Sequence, residues 1–125
     1  MKKVIERILI GESVIINGQK YYKVQLEADK VHARGEKHYD KKQYEKALEF
    51  FEKEIELDPE GNIGYEYKGL TLMKMGRREE GIKNLEIAVH KAGNYYELSG
   101  RLMDKEVFEE LKKELTTARE DANTA

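Results

Sequence analysis

Residues 44–59 read Tyr44-Glu45-Lys46-Ala47-Leu48-Glu49-Phe50-Phe51-Glu52-Lys53-Glu54-Ile55-Glu56-Leu57-Asp58-Pro59. Ala47, Phe50, Phe51, Glu54 and Ile55 recur at spacings of three and four, which puts them on one face of a helix. Pro59, the only proline of the chain, cannot donate a backbone hydrogen bond and reads as the stop of that helix. Downstream, Ile82, Leu85, Ala88 and Val89 keep the same period, as do Phe108, Leu111 and Leu115. Gly76 and Gly93 fall between periodic runs, so the pattern predicts helices of about 12–16 residues joined by short turns.

The helices repeat. Gly35 and Gly69 stand 34 residues apart. Val31 precedes the first by four residues, and Tyr39, Tyr44, Ala47, Phe51 and Pro59 follow it. Around the second stand Tyr65, Leu72, Gly76, Gly81, Leu85 and Ala88. A weaker third copy starts at Tyr96-x-x-x-Gly100, with Phe108, Leu111 and Leu115 in place of Tyr44, Ala47 and Phe51. This pattern resembles the tetratricopeptide repeat. The resemblance covers residues 27–119 and implies a mainly α fold, about three antiparallel helix pairs of a solenoid. In such a fold Gly35 and Gly69, with Ala47 and Gly81, allow close packing of the two helices of a repeat, and Phe51 and Leu85 fill the space between repeats. Arg78, Gly81 and Gly93 depart from the family pattern in the second repeat, and Leu111 is large where a small residue is expected, so the last pair is expected to act as a cap.

Residues 1–26 read differently. Val4 to Ile10 is rich in β-branched residues, and Ser13 to Val24 holds Asn17-Gly18 between two β-forming runs. Both turn residues tolerate positive φ, which is the strongest short hairpin signal. Folding about that turn sets Val14 opposite Tyr21 and Glu12 opposite Lys23, both favourable cross-strand pairs. The expected organisation is a β segment at 1–26, either a hairpin or a three-stranded meander, then helical repeats at 27–119 and a frayed tail at 120–125. A lone hairpin is marginal in water, so it must cover the first helix pair or pair with another chain.

Composition narrows the function. The 125 residues carry 23 basic and 25 acidic side chains for a net charge of -2, interspersed rather than blocked. A nucleic-acid binder needs a basic surplus, and Lys2, Lys3, Arg7 and Arg77-Arg78 are small clusters. No stretch reaches the ~20 apolar residues of a membrane span, and Glu6 and Arg7 interrupt the first apolar run of the chain. These features give a cytoplasmic expectation with neither nucleic acid nor membrane as partner. There is no cysteine. Ser13 and Ser99 lack a nucleophile-elbow setting, no phosphate-binding glycine loop occurs, and His32 and His38 stand six apart, off the i, i+4 spacing of a metal pair. No catalytic residue, cofactor or metal is therefore expected. His38 is expected to pack partly in the core, and His32 and His90 to be solvated.

What remains is partner binding. The resemblance implies a groove lined by the first helices of successive repeats: His32, Glu36 and Tyr39, then Ile63, Glu66, Leu70 and Met73, then Asn94, Glu97 and Arg101. Members of the family that clamp a C-terminal carboxylate use Lys, Arg and Asn there. Here the matching positions are His32, Glu36, Tyr67, Asn94 and Leu98, and Glu36 would repel a carboxylate. The groove residues favour a ligand that mixes basic and apolar side chains. The expected function is a protein–protein interaction module that holds a peptide or helix of a partner. The alternative is a self-associating scaffold, a homodimer through the hairpin or the terminal helix face.

Overall fold

The computed structural model describes residues 13–16, 19–99 and 105–124, and side chains within 24–93 (Gln25 excepted) and 106–121. Two strands open the described part, β1 (Ser13–Ile16) and β2 (Gln19–Tyr22). They pair antiparallel with Val14 opposite Tyr21. The proposed strand at 4–10, the Asn17-Gly18 turn and Glu12 lie outside the described residues. Lys23 belongs to no strand, because it is the first residue of helix α1 (Lys23–Asp40). The helix thus starts before the expected boundary at 27. Val24, Ala28, Val31 and Gly35 follow helical spacing, and Ala28 and Gly35 are buried. Packing of that stripe overrides the β-branched preference of Val24.

Four further helices follow: α2 (Tyr44–Leu57), α3 (Ile63–Lys74), α4 (Arg78–Ser99) and α5 (Lys105–Thr124). They form a tetratricopeptide-like helical solenoid. The 34-residue period is visible in the backbone as well as in the side chains. Lys42 and Gly76, at equivalent positions, are the two residues of positive φ among the described residues, 61° and 80°. Each closes its helix with the same pair of bonds. Lys42 N–H donates to Tyr39 and Gln43 N–H to His38; Gly76 N–H donates to Met73 and Arg77 N–H to Leu72. This is the Schellman closure, and it wants glycine at the left-handed position. Lys42→Gly is therefore expected to raise stability by about 0.5–1 kcal/mol, read as a higher urea midpoint with unchanged slope.

Small residues set the helix spacing. A Cβ at Gly35 would lie 2.5 Å from Phe51 Cε1, so the Phe51 ring lies against bare backbone of α1. In the second pair a Cβ at Gly69 would meet the Gly81 carbonyl oxygen at 2.9 Å, and one at Gly81 would meet that of Gly69 at 2.9 Å. Phe51 and Leu85 are fully buried in their pairs. Each also reaches the next unit. Phe51 packs on Tyr67 of α3 at a centroid distance of 5.4 Å, and Leu85 clusters with Leu115 and Ala118 of α5.

The third unit differs from its expected form. Gly93 does not end a helix; α4 runs through it to Ser99. The first helix expected from Tyr96 is the last part of α4, and a single helix, α5, folds back along α4. Leu111 packs with Ala88 and Ala92, and Leu115 with Leu85. Gly93 keeps its place because it faces a ring: a Cβ there would lie 3.5 Å from Phe108 Cζ. Arg119 pairs with Glu86 at 3.2 Å, and Arg78 donates to the Asp121 carbonyl at 3.5 Å. Residues 120–124, expected to fray, are helical up to Thr124.

Candidate functional site

Helices α1, α3 and α5 share one face, and its upper part is aromatic and acidic. His32 is not solvated as expected. Its ring stands edge-on to Tyr67 at 4.5 Å and tilts on Phe51 at 5.6 Å. Nδ1–H donates to Glu54 Oε1 at 2.8 Å, and Nε2 lies 3.5 Å from Glu36 Oε1. Burial opposes the imidazolium, but Glu54 and then Glu36 outweigh it and hold the pKa above its ordinary value. His32 thus neutralises the buried Glu54 and binds α1 to α2. Tyr67 donates its hydroxyl proton to Glu36, and burial followed by that bond pushes its pKa up to about 12. Tyr39 stacks edge-on with Tyr44 and Tyr67 at 5.5 and 6.5 Å. His38 is partly packed, stacking on Phe50 at 5.3 Å, and His90 is exposed.

Below this cluster, α3 presents Glu66, Leu70 and Met73 on one stripe. Leu70 and Met73 pack partly against Leu85, Leu115 and Ala118. They form the floor of a groove of about 460 Å³ whose α5 wall is Glu110, Lys113, Glu114, Thr117, Ala118 and Asp121. Glu66 meets Glu114 across the head of this groove. The two carboxyls hydrogen-bond each other, which requires a proton on one of them. Burial first, then the bond and charge of Glu114, raise the pKa of Glu66 to about 8. Glu114 Oε2 is buried.

His32, Glu36, Tyr39, Glu66, Leu70 and Met73 therefore gather on this face, with His32 and Tyr39 engaged in packing. Ile63, 47% exposed, sits in the first turn of α3. Asn94 and Glu97 lie on the backbone of α4, not on a first helix, and Arg101 lies outside the described residues. The third contribution comes instead from α5, through Glu110, Lys113, Glu114 and Thr117. Reading Gly93 as a turn displaced that prediction by one helix. The signal for α5 was present in its Phe108-Leu111-Leu115 period, which marks the buried stripe. The groove residues are the ones beside it.

The carboxyl pair makes stability depend on pH. The folded chain keeps a proton on Glu66 up to about pH 8, whereas the unfolded chain releases it near pH 4.5. The folded state binds the extra proton between these limits, so stability falls as pH rises through that window. The expected loss is on the order of 2 kcal/mol, given partial contact with water. His32, also raised, acts in the same direction as pH rises through its folded pKa. Glu66→Gln is expected to flatten most of the slope in urea melts taken from pH 5 to 9. An unchanged slope would remove Glu66 from this role.

Among the described residues no group of three or more His, Asp or Glu is placed to hold a metal ion, and no helix is long and apolar enough to cross a membrane. Residues 28–60, which hold most of α1 and all of α2, match the tetratricopeptide repeat family model. This stretch carries a tetratricopeptide repeat. Repeats of this kind are in general protein-interaction modules. No curated protein matches the sequence. Among solved structures, the tetratricopeptide domain of Sgt2 from Aspergillus fumigatus aligns at TM-score 0.49 and 16% identity, over 79% of this chain and 83% of that one. The repeat that matches the family model ends at Glu60, and the acidic groove lies beyond it, between α3 and α5.

Proposed function

We propose that the face formed by α1, α3 and α5 holds an extended or helical segment of a partner protein, and that the chain has a binding rather than a catalytic role. The observation that carries this reading is the groove itself. Leu70 and Met73 keep apolar surface open to solvent at the base of a channel with hydrogen-bonding walls, the arrangement that anchors a partner's side chain. Glu36 beside the aromatic cluster extends the same face along α1. A carboxylate-terminated segment does not suit it, because this face already holds Glu36, Glu66, Glu110 and Glu114.

Selection of peptides from a random library by the full chain tests the reading. Binders are expected to lose at least about tenfold in affinity on the charge reversals Glu36→Lys and Glu110→Lys, with far-UV circular dichroism unchanged. Binders that ignore both changes and respond to Ile87→Lys, on the outer side of α4, would contradict it. Selection that yields only association of the chain with itself, seen as a dimer by light scattering, would favour the scaffold alternative.

A further inference from the structure

The His32 ring joins two carboxylates that differ sharply in their access to water. Nδ1 lies 2.8 Å from Glu54 Oε1 of α2, and Nε2 lies 3.5 Å from Glu36 Oε1 of α1. The Glu54 side chain is 10% exposed and the Glu36 side chain 45%. Helix α3 closes over Glu54 as well, since a Cβ at Gly64 would stand 3.5 Å from its carboxyl carbon. Tyr67 of α3 at 4.5 Å and Phe51 of α2 at 5.6 Å fix the imidazole plane between the two acids. The titratable groups that face the ring are therefore Glu36 from α1, Glu54 from α2 and Tyr67 from α3. Tyr67 donates its hydroxyl to Glu36, and with its pKa pushed up to about 12 it keeps that proton.

A charged imidazole serves both carboxylates, because both ring nitrogens donate. A neutral one has a single N–H, and the two acceptors compete for it. A buried carboxylate left without a donor bears its full desolvation cost, whereas a half-exposed one regains water. The proton therefore stays on Nδ1, toward Glu54. Nε2 then presents a lone pair to Glu36, which is driven off the ring toward solvent and keeps only the Tyr67 hydroxyl.

We propose that His32 is a proton-operated latch on Glu36: charged, it ties Glu36 into the contact between α1 and α2, and neutral, it holds Glu54 alone and frees Glu36 to accept a hydrogen bond from the partner segment. The last step rests on the face of α1, α3 and α5 being the partner site; the latch itself does not. One proton leaves to solvent each time the latch opens. Burial opposes the imidazolium, but Glu54 and then Glu36 hold its pKa above the ordinary 6.5. The latch is thus closed below pH 6.5 and opens as pH rises through the raised value, so partner binding tightens in that direction.

The test is NMR of the full chain labelled with nitrogen-15 at histidine, from pH 5 to 9, where the ring nitrogen shifts read which atom carries the proton. The His32 signals are assigned by their loss in His32→Gln. His32 is expected to titrate above pH 6.5 and to end as the Nδ1–H tautomer, the minor form of free histidine. A neutral ring protonated on Nε2, or an even mixture of the two forms, would overturn the latch. Affinity for a library-selected peptide that Glu36→Lys weakens is then measured against pH. It is expected to rise about three- to tenfold as His32 loses its proton, and the rise is expected to vanish in Glu36→Gln. A rise that survives in Glu36→Gln belongs to another group, Glu66 above all, and would separate His32 from partner binding. A pH-independent affinity in the unsubstituted chain would do the same. If no selected peptide depends on Glu36, the partner step falls with the reading of this face, and the tautomer alone decides the latch.

Discussion

Phe51→Ala is expected to lower the unfolding free energy by about 4 kcal/mol. The ring is fully buried and, from α2, meets both α1 and α3. It fills the space over Gly35 in α1, tilts on His32 and meets Tyr67 of α3. The void left by alanine cannot close from the α1 side, since Gly35 has no side chain to move. Closure from the α3 side would pull Tyr67 away from Glu36. The cost should therefore lie toward the upper end of the usual range for deleting a buried aromatic. Urea denaturation followed by circular dichroism reads it directly. A loss under about 1 kcal/mol would mean that the first pair and α3 are not joined through this ring.

Gly69→Ala is expected to cost about 2–3 kcal/mol, although alanine is the better helix former. The added methyl would sit 2.9 Å from the Gly81 carbonyl oxygen and 2.9 Å from Leu85 Cγ. Leu85 could turn aside, but a backbone carbonyl inside α4 cannot, so α3 and α4 would have to move apart. That movement widens the groove at Leu70 and Met73 and should weaken any groove ligand together with the fold. Gly93→Ala is the internal control. It also adds a methyl to α4, but the nearest atom is Phe108 Cζ at 3.5 Å, an ordinary contact. It is expected to be neutral or stabilising by up to about 1 kcal/mol. If the two substitutions cost the same in parallel urea melts, close helix contact is not what fixes glycine at position 69.

The contrast between these two glycines shows how far the sequence could be read. Gly35, Gly69 and Gly81 sit at the repeat's close contacts, and the period that predicted them is a consequence of two helices packing twice in the same way. Gly93 offered the same letter with a different cause, space for a ring arriving from α5. A single sequence cannot separate a glycine that ends a helix from one that receives a neighbour. Because α4 runs on through Gly93, the third wall of the groove comes from α5 rather than from Asn94, Glu97 and Arg101. The start of α1 was misplaced for a related reason, as β-branched Val24 is recruited into a helical stripe by the burial of Ala28 and Gly35. His32 reads as solvated in the sequence because its partner Glu54 lies 22 residues away. Glu54 itself was legible as part of the buried stripe of α2. The Glu66–Glu114 pair had no signal in sequence at all, since both are ordinary helix-surface glutamates until α5 folds against α3.

The measurement closest to the central claim is a titration of isotope-labelled chain with a peptide selected from the random library, followed through backbone amide NMR shifts. The predicted result is a set of changes confined to α1, α3 and α5, largest around Glu36, Tyr67, Leu70 and Glu114. Changes centred instead on Lys83, Ile87 and His90 of α4, or no changes from any library-selected peptide, would contradict the assignment of this face as the partner site.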